Sequence, residues 1–571
     1  MTPISLAVLV IFSDVYIYIY IGGKQIMSKI SKVAKANRDV EVKKPVVNFM
    51  GGISYELNPL DTLKMISASS IFGEPQYYRD SGMKDGKYHL DAYVRKYALF
   101  DIPEGITASE LMIDSINKAL DYDFKATIEW AAKLRNDYYM RLNPQVIMVL
   151  AAIHPKRAQF NKENPELFRK INLKVMRRAD EPASQLAFYL YNNGSKSSLP
   201  SILKRSWCDK IESLGRYEMA KYKNHEVGLI DTIRICHAKG NLVSELMTTG
   251  TVAVDDSHKT WENLRSEGRT WDDIIKTIGL PHMALLRNLR NIFSEIDDDK
   301  TRDAILNSLK RGVLAGMQFP FRYYQALKAI KNDYRVNFKP QIMDALEECI
   351  DISVANMPKL KGKTICLSDN SGSAWGTFNS EYGSMTVAEI DNLSSVITAM
   401  SSDEGYVGKF GDKLKIIPVS KRNGALFQAD AITKDKYKDV GGSTENGIWL
   451  FFKQAIEDRV HYDNIFIYSD MQAGHGGLYG EGCSYVVEGE DFSVGRSGIR
   501  TSIYIDVMKL IAKYRSVVNP KVNVFCVQTA GYSNVLTPEY TYRGAVLYGW
   551  TGKEALFASK IVDMWDEKEA N

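Results

Sequence analysis

The hydrophobic pattern of this chain changes at one short basic linker, and that change constrains the fold more than any other feature. From about residue 57 to residue 356, apolar residues recur at the three- and four-residue spacing of amphipathic helices. After the linker at 356–363, short apolar strands alternate with helices. A strand–helix alternation of this kind is typical of a doubly wound, mostly parallel sheet. The sequence therefore predicts the fold class α + α/β.

The first of these regions contains many short helices joined by polar connections. This pattern favours an α-solenoid of stacked helical pairs, similar to HEAT repeats. An irregular helical bundle is the alternative, because no fixed sequence period is evident. The helices predicted here lie at 166–178, 182–191, 216–224, 228–238, 269–278, 281–294, 301–314 and 319–332. Beyond the linker, the predicted strands lie at 364–367, 405–410, 414–419, 464–468 and 522–527, and the predicted helices at 445–457, 501–514 and 553–566.

The N-terminal run from Ile4 to Ile21 is mostly apolar, but Asp14 interrupts it and no Lys or Arg precedes it. It therefore lacks both the basic start of a secretory signal and the unbroken length of a spanning helix. We expect translation to begin at Met27, and a weak membrane anchor is the alternative. The predicted segments are an N-terminal extension at 1–56, a helical domain at 57–357 and an α/β domain at 364–568.

Charge and cysteine usage set broad limits on function. The net charge of +4 is small for 571 residues, and it neither demands nor excludes nucleic acid, because a local basic patch matters more than the sum. The six cysteines are scattered and form no Cys-x-x-Cys pair. This distribution argues against a zinc site or a disulfide framework and favours a reducing, cytoplasmic location.

Hard oxygen donors follow the first predicted strand of the α/β domain. Asp369, Ser371 and Ser373 form an Asp-x-Ser-x-Ser run directly after it. Thr444 opens a later helix, and Asp470 follows a later strand. In a doubly wound sheet, ligands bind outside the carboxyl ends of the strands, so we expect these side chains to meet at one edge. Hydroxyl and carboxylate oxygens suit Mg²⁺, with Mn²⁺ or Ca²⁺ as alternatives, and suit zinc poorly.

The order and spacing of these donors resemble the metal-ion-dependent adhesion site of von Willebrand A domains. The resemblance implies direct coordination by Ser371 and Ser373, and coordination through water by the two aspartates. Thr444 would join when a ligand binds, with Ser443 as the alternative. No His, Lys or Cys is placed by the sequence as a base or nucleophile beside the site. We therefore assign no catalytic residue and expect a structural or ligand-bridging metal in a protein that is not an enzyme.

Three segments of the helical region resemble the TROVE module. Residues 220–223 and 229–239 are similar to its central signature, and 280–289 carries its Leu-Leu-Arg-Asn-Leu segment. Residues 319–327 are similar to the helix that precedes the second domain in that family. The chain thus resembles the TROVE/Ro autoantigen family of RNA-binding proteins, in a bacterial or phage form, including the order of a TROVE module followed by a von Willebrand A domain.

This resemblance implies a ring of helical repeats that is closed by the A-type, Rossmann-like domain. The ring would hold single-stranded ends of misfolded RNAs in its hole and small structured non-coding RNAs, the Y RNAs, on its outer face. It implies a role in RNA quality control or processing, with an exoribonuclease as a partner. We expect a monomer with no DNA or membrane partner. The predicted RNA-binding residues are Lys170, Arg216, Lys221, Lys223, Arg234 and His237.

The residue chemistry between positions 204 and 239 is compatible with that implication. Lys and Arg side chains would neutralise phosphates there, and the rings of Trp207, Tyr217 and Tyr222 would stack on unpaired bases. His225 stands where the family carries a basic residue, which weakens that one contact. Acidic neighbours such as Asp209 leave a solvated face as the alternative. The alternative function is a metal-dependent protein-interaction module for which the helices are only a scaffold.

Overall fold

The structure is a computed structural model of the chain. It describes residues 45–47, 53–55, 57–69, 108–221, 227–254, 259–316, 318, 320–355, 357–375, 377–380, 383–442, 444–469, 485–495, 503–529, 536–537, 540–548 and 554–570. The predictions for residues 1–26, including a start at Met27, lie outside these residues. Within the described part, no helix combines the length and apolar character needed to cross a membrane.

The helical region begins after a small hairpin, in which strand β1 (Pro45–Val47) pairs with β2 (Ile53–Tyr55). Its helices are α1 (Pro59–Ser69), α2 (Ala108–Tyr122), α3 (Phe124–Asn136), α4 (Leu142–Ile153), α5 (Arg157–Glu163), α6 (Leu167–Val175), α7 (Glu181–Asn193), α8 (Ser201–Glu212) and α9 (Arg216–Lys221). They continue with α10 (Leu229–Cys236), α11 (Asn241–Thr249), α12 (Trp261–Ser266), α13 (Trp271–Ile278), α14 (His282–Ile292), α15 (Asp299–Gly316), α16 (Pro320–Lys331) and α17 (Lys339–Ala355).

The buried side-chain amide of Gln185 links four of these helices through hydrogen bonds. Gln185 on α7 donates to the side-chain oxygens of Gln145 on α4 and Asn172 on α6, each at 2.7 Å. Its own oxygen accepts the indole N–H of Trp207 on α8 at 2.8 Å. All four side chains are at most 1% exposed. Because each buried polar group would cost free energy without a partner, this network fixes the relative placement of the helices.

The α/β domain is built on a seven-stranded sheet of order β14-β15-β13-β8-β3-β6-β7. Its strands are β3 (Leu360–Asp369), β6 (Ser402–Phe410), β7 (Leu414–Pro418), β8 (Asn464–Ser469), β13 (Asn523–Gln528), β14 (Tyr540–Thr541) and β15 (Gly544–Tyr548). Every pairing among β15, β13, β8, β3 and β6 is parallel. The outer strands β14 and β7 pair antiparallel.

Helices cover both faces of this sheet. All six residues of the central strand β8 are therefore buried. They are α18 (Val387–Met400), α19 (Ala425–Thr433), α20 (Thr444–Glu457), α21 (Val507–Val517) and α22 (Glu554–Ala570). Short hairpins are formed by β4 (Thr377–Ser380) with β5 (Gly383–Thr386), β9 (Val486–Val487) with β10 (Glu490–Asp491), and β11 (Ser493–Gly495) with β12 (Ile503–Ile505). The predicted fold, a helical domain followed by a doubly wound α/β domain, is confirmed.

The α/β domain contacts both ends of the helical region. At one end, Lys568 on α22 pairs with Asp61 on α1 at 3.2 Å, with both side chains 17% exposed. At the other end, Lys328 on α16 pairs with Glu389 on α18 at 3.1 Å. Asp351 on α17 also accepts the backbone N–H of the first residue of α19 at 2.9 Å. The two regions therefore close on each other.

One predicted helix was placed too early. The pattern predicted a helix over 501–514, whereas the structure has the strand β12 there and begins α21 at Val507. The N-cap explains the difference, because the carboxylate of Asp506 accepts the N–H of Lys509 at 3.0 Å. An aspartate in this role fixes the helix start, and the apolar residues before it pair as a strand instead.

Candidate functional site

The Asp-x-Ser-x-Ser run lies where the strand order of the sheet reverses. Strand β3 and its neighbour β8 are adjacent in the centre of the sheet, and the chain proceeds outward from them in opposite directions. Asp369 is the last residue of β3, and Ser469 is the last residue of β8. A crevice opens at such a switch point, at the carboxyl ends of the parallel strands. The structure thus places Asp369 at the edge that the sequence predicted.

The side chain of Asp369 is held from two sides. One carboxylate oxygen accepts the backbone N–H of Ser371 at 2.8 Å, and the other accepts the hydroxyl of Ser469 at 2.6 Å. Asp369 is 0% exposed and Ser371 is 1% exposed. The hydroxyls of Ser371 and Ser373 lie 3.3 Å apart, and Ser373 is exposed to solvent. The loop therefore presents two neighbouring hydroxyl oxygens beside a fixed carboxylate.

Close backbone contacts hold this loop against the segment before α20. The N–H of Gly372 donates to the carbonyl of Gly442 at 3.1 Å. A Cβ on Gly411 would lie 2.2 Å from the carbonyl oxygen of Gly441, which has φ +83°. Only a residue without a side chain fits this approach, and only glycine takes that φ without strain. The glycines thus bring the start of α20 to the Asp369 loop.

The remaining predicted ligands are described only in part. Thr444 is the first residue of α20, as predicted, while the placement of its side chain lies outside the described atoms. Ser443 and Asp470 lie outside the described residues, although Asp470 directly follows β8 in the chain. Among described residues, no group of three or more His, Cys, Asp or Glu side chains is placed to hold a metal. The ligand roles stay predictions.

The predicted RNA-binding residues lie on the helices α6, α9 and α10 and at their ends. Lys221 ends α9 and is exposed, and its ammonium stands 5.6 Å from the centre of the Tyr217 ring. Arg234 on α10 is 65% exposed and pairs only loosely with Asp231, at 3.9 Å. His237 ends the same helix in the left-handed region, with φ 62°, and is exposed. Three basic side chains on two consecutive helices therefore face solvent.

Two of the predicted residues differ in their surroundings. Arg216 donates to both carboxylate oxygens of Glu245, at 3.1 and 3.0 Å, and to the carbonyl of Ala253. Lys170 on α6 is exposed. Lys223 and the ring of Tyr222 lie outside the described residues. Arg216 would have to give up part of its ion pair with Glu245 in order to bind a phosphate. It therefore contributes less to the exposed basic surface than Lys170 does.

Trp207 is not available for stacking on a base, contrary to the prediction. Its ring is 0% exposed and its N–H is used by Gln185. In the same helix Asp209 binds Arg169 through both carboxylate oxygens, and these hydrogen bonds raise the pKa of Arg169. The tryptophan packs in the helical core because its position lies on the inner face of α8. Asp209 neutralises the positive charge of Arg169.

The described cysteines are free thiols. Cys208 on α8 donates to the carbonyl of Cys236 on α10 at 3.0 Å. Burial raises the pKa of Cys236 to about 12. A thiol so far from ionisation is a poor metal ligand and a poor nucleophile, so these cysteines act as packing residues.

A buried cluster of acidic and arginine side chains at the start of α7 was not predicted from the sequence. Asp180 accepts from Arg141 at 2.6 Å and from Arg178 at 3.1 Å. Glu181 accepts from Arg135 at 2.6 Å and is 0% exposed. The sequence does show two adjacent acidic residues at the start of a largely apolar helix. It does not show which cations bind them, because two of their arginine partners are distant in sequence.

Comparison with known proteins agrees with this architecture. The model of the TROVE domain matches residues 255–340. The crystal structure of the Ro (RSR) protein of Deinococcus radiodurans has the same fold, with a TM-score of 0.58 at 15% identity over 86% of this chain and 99% of that chain. No curated protein sequence matches. Residues 255–340 of this chain thus match the TROVE domain, and the chain has the fold of a Ro protein.

Proposed function

We propose that this protein is a Ro-like RNA-binding protein, and the match of residues 255–340 to the TROVE domain carries the proposal. The exposed basic side chains of Lys221, Arg234 and His237 support it, because exposed cationic side chains on neighbouring helices can contact phosphates. The ligands would be small structured, Y-like RNAs and the single-stranded ends of misfolded RNAs. The role would be RNA quality control or processing in the cytoplasm, in partnership with an exoribonuclease.

Charge reversal at these positions tests the proposal. We expect Lys221→Glu and His237→Glu each to weaken binding of a labelled single-stranded RNA by about tenfold, since each introduces repulsion where binding of a phosphate is proposed. The slope of log affinity against log salt should become shallower by about 0.7 for each phosphate that is no longer neutralised. Gel-shift titrations at several salt concentrations measure both quantities.

Lys118→Glu is the matched control, because Lys118 is 58% exposed on α2 and lies outside the proposed surface. Circular dichroism establishes that each variant remains folded. If the Lys221 and His237 variants bind RNA as tightly as the control does, this assignment of the RNA-binding surface is wrong.

We further propose that the edge at Asp369 is the metal-ion-dependent adhesion site of a von Willebrand A domain and binds a divalent cation, preferably Mg²⁺. Ser371 and Ser373 would coordinate it directly, and Asp369 and Asp470 through water, with Thr444 or Ser443 completing the set. The fixed carboxylate beside two hydroxyl oxygens supports this, because all three are hard donors. The cation would supply a fixed positive charge that can bridge to an external oxygen ligand.

A further inference from the structure

A basic turn that carries an exposed tyrosine lies beside the Asp369 loop, in the α/β domain. It comprises residues 434–440, and Lys434, Lys436, Tyr437 and Lys438 in it are exposed. We infer that this basic turn is a second contact surface for single-stranded RNA, separate from the helical domain. The inference rests on the proposed RNA-binding function and extends it to the α/β domain.

Backbone hydrogen bonds fix the basic turn at the same edge of the sheet as Asp369. The N–H of Gly441 donates to the carbonyl of Tyr437 at 2.7 Å. The N–H of Lys413, just before β7, donates to the carbonyl of Val440 at 2.7 Å. These bonds join the turn to the start of β7, where Lys413 and Lys415 are also exposed. Lysines from two segments therefore form one surface.

The carboxylates of this surface are largely engaged with their own neighbours. Asp439 pairs with Lys409, which is only 2% exposed, at 2.7 Å and more loosely with the exposed Lys415 at 3.7 Å, so its charge is largely neutralised. Asp412 accepts the N–H of Gly442 at 3.2 Å. Asp435 is the third carboxylate of this surface. The surface has five exposed lysines, three in the turn and two at the start of β7. The surface is therefore positively charged toward solvent.

Aromatic rings stand among these lysines. Tyr437 is 46% exposed and lies between two lysines in the chain. Trp375 is half-buried and donates its indole N–H to the carbonyl of Asn370, while the ammonium of Lys436 stands 5.7 Å from the centre of its ring. Rings with neighbouring cations provide both stacking for unpaired bases and contacts for phosphates. An acidic protein partner would need only the lysines, so the exposed ring favours single-stranded RNA.

The test compares variants of the full chain for binding to a short labelled oligouridine by fluorescence anisotropy. We expect the double variant Lys436→Glu/Lys438→Glu to bind about tenfold or more weakly, with a salt slope that is shallower by about 0.7 for each phosphate released from the surface. Tyr437→Ala should bind about fivefold or more weakly, with an unchanged salt slope, because a base would lose its stacking partner.

Lys421→Glu/Arg422→Glu is the matched control. Lys421 bonds to the carbonyl of Asp403 at the start of β6, which puts this pair at the opposite edge of the sheet. The control should bind like the unaltered protein. If the Lys436→Glu/Lys438→Glu and Tyr437→Ala variants also bind like it, while Lys221→Glu binds weakly, the second surface does not exist and the proposed function stands.

Two further outcomes are decisive. If the unaltered protein fails to bind oligouridine and structured RNA alike, the proposed function fails, and the inference fails with it. If the double variant loses affinity for polyglutamate, used as an acidic polypeptide probe, but keeps its affinity for oligouridine, the surface binds acidic protein and the inference is overturned.

Discussion

Replacing Arg135 with methionine is expected to destabilise the helical domain by about 3 to 5 kcal/mol. The substitution would leave the carboxylate of Glu181, which is 0% exposed, without its cation. The other oxygen of Glu181 accepts the backbone N–H of Arg178 at 2.7 Å, and this neutral donor does not neutralise the charge. A buried charge that has lost its partner is one of the most costly changes in a folded protein.

The midpoint of urea unfolding, followed by circular dichroism, measures this effect. Arg141→Met is the matched control, because Arg141 is 40% exposed and its partner Asp180 keeps Arg178. We expect the control to lose about 1 kcal/mol or less. The double variant Arg135→Met/Glu181→Leu should recover most of the stability, since it removes both charges. Equal midpoints for the Arg135 and Arg141 variants would show that the buried pair does not stabilise the domain.

The Asp369→Ala variant is expected to lose detectable binding of Mg²⁺ and Mn²⁺. Its carboxylate is one of the two anionic groups of the proposed site, and without it only one negative charge would remain, at Asp470, to offset the dehydration of the cation. Isothermal titration calorimetry with each cation measures the change. Asp435→Ala removes an exposed aspartate of the neighbouring turn and should bind both cations like the unaltered protein.

The buried position of Asp369 calls for a second variant, because alanine also removes the acceptor for Ser371 and Ser469. Asp369→Asn keeps one oxygen acceptor and loses the charge, so it should remain folded and still bind Mg²⁺ weakly. If this folded variant binds Mg²⁺ as tightly as the unaltered protein, the metal proposal is wrong. If Asp369→Asn abolishes binding of a protein partner and leaves RNA binding intact, the α/β domain also serves protein interaction.

The sequence predicted the architecture well because periodicity reports which faces are buried. The alternation after the linker predicted the parallel sheet, and the position of Asp369 at the end of β3 followed from the topology of such sheets. Thr386 is the N-cap of α18, and its hydroxyl accepts the N–H of Glu389 at 3.2 Å, which is a local interaction typical of a Thr-x-x-Glu sequence. These features are local, or follow from general rules of strand connection.

The features that sequence reasoning missed depend on contacts between distant segments. The basic neighbours of Trp207 suggested a role in RNA binding, yet its partner Gln185 on another helix places the ring in the core. Glu181 meets Arg135 across 46 positions of sequence. The basic turn at 434–440 becomes part of a larger basic surface only because the antiparallel edge strand β7 brings Lys413 beside it. No periodicity or motif encodes such pairings.

Recovery of the RNA that co-purifies with the full chain is the decisive test of whether this protein is a Ro-like RNA-binding protein. The protein is isolated at low salt after ultraviolet crosslinking, and the attached nucleic acid is sequenced beside that of an unrelated control protein of similar charge. We expect a restricted set of small structured RNAs and RNAs with single-stranded ends, which Lys221→Glu should deplete. Nucleic acid that matches the control in amount and composition would contradict it.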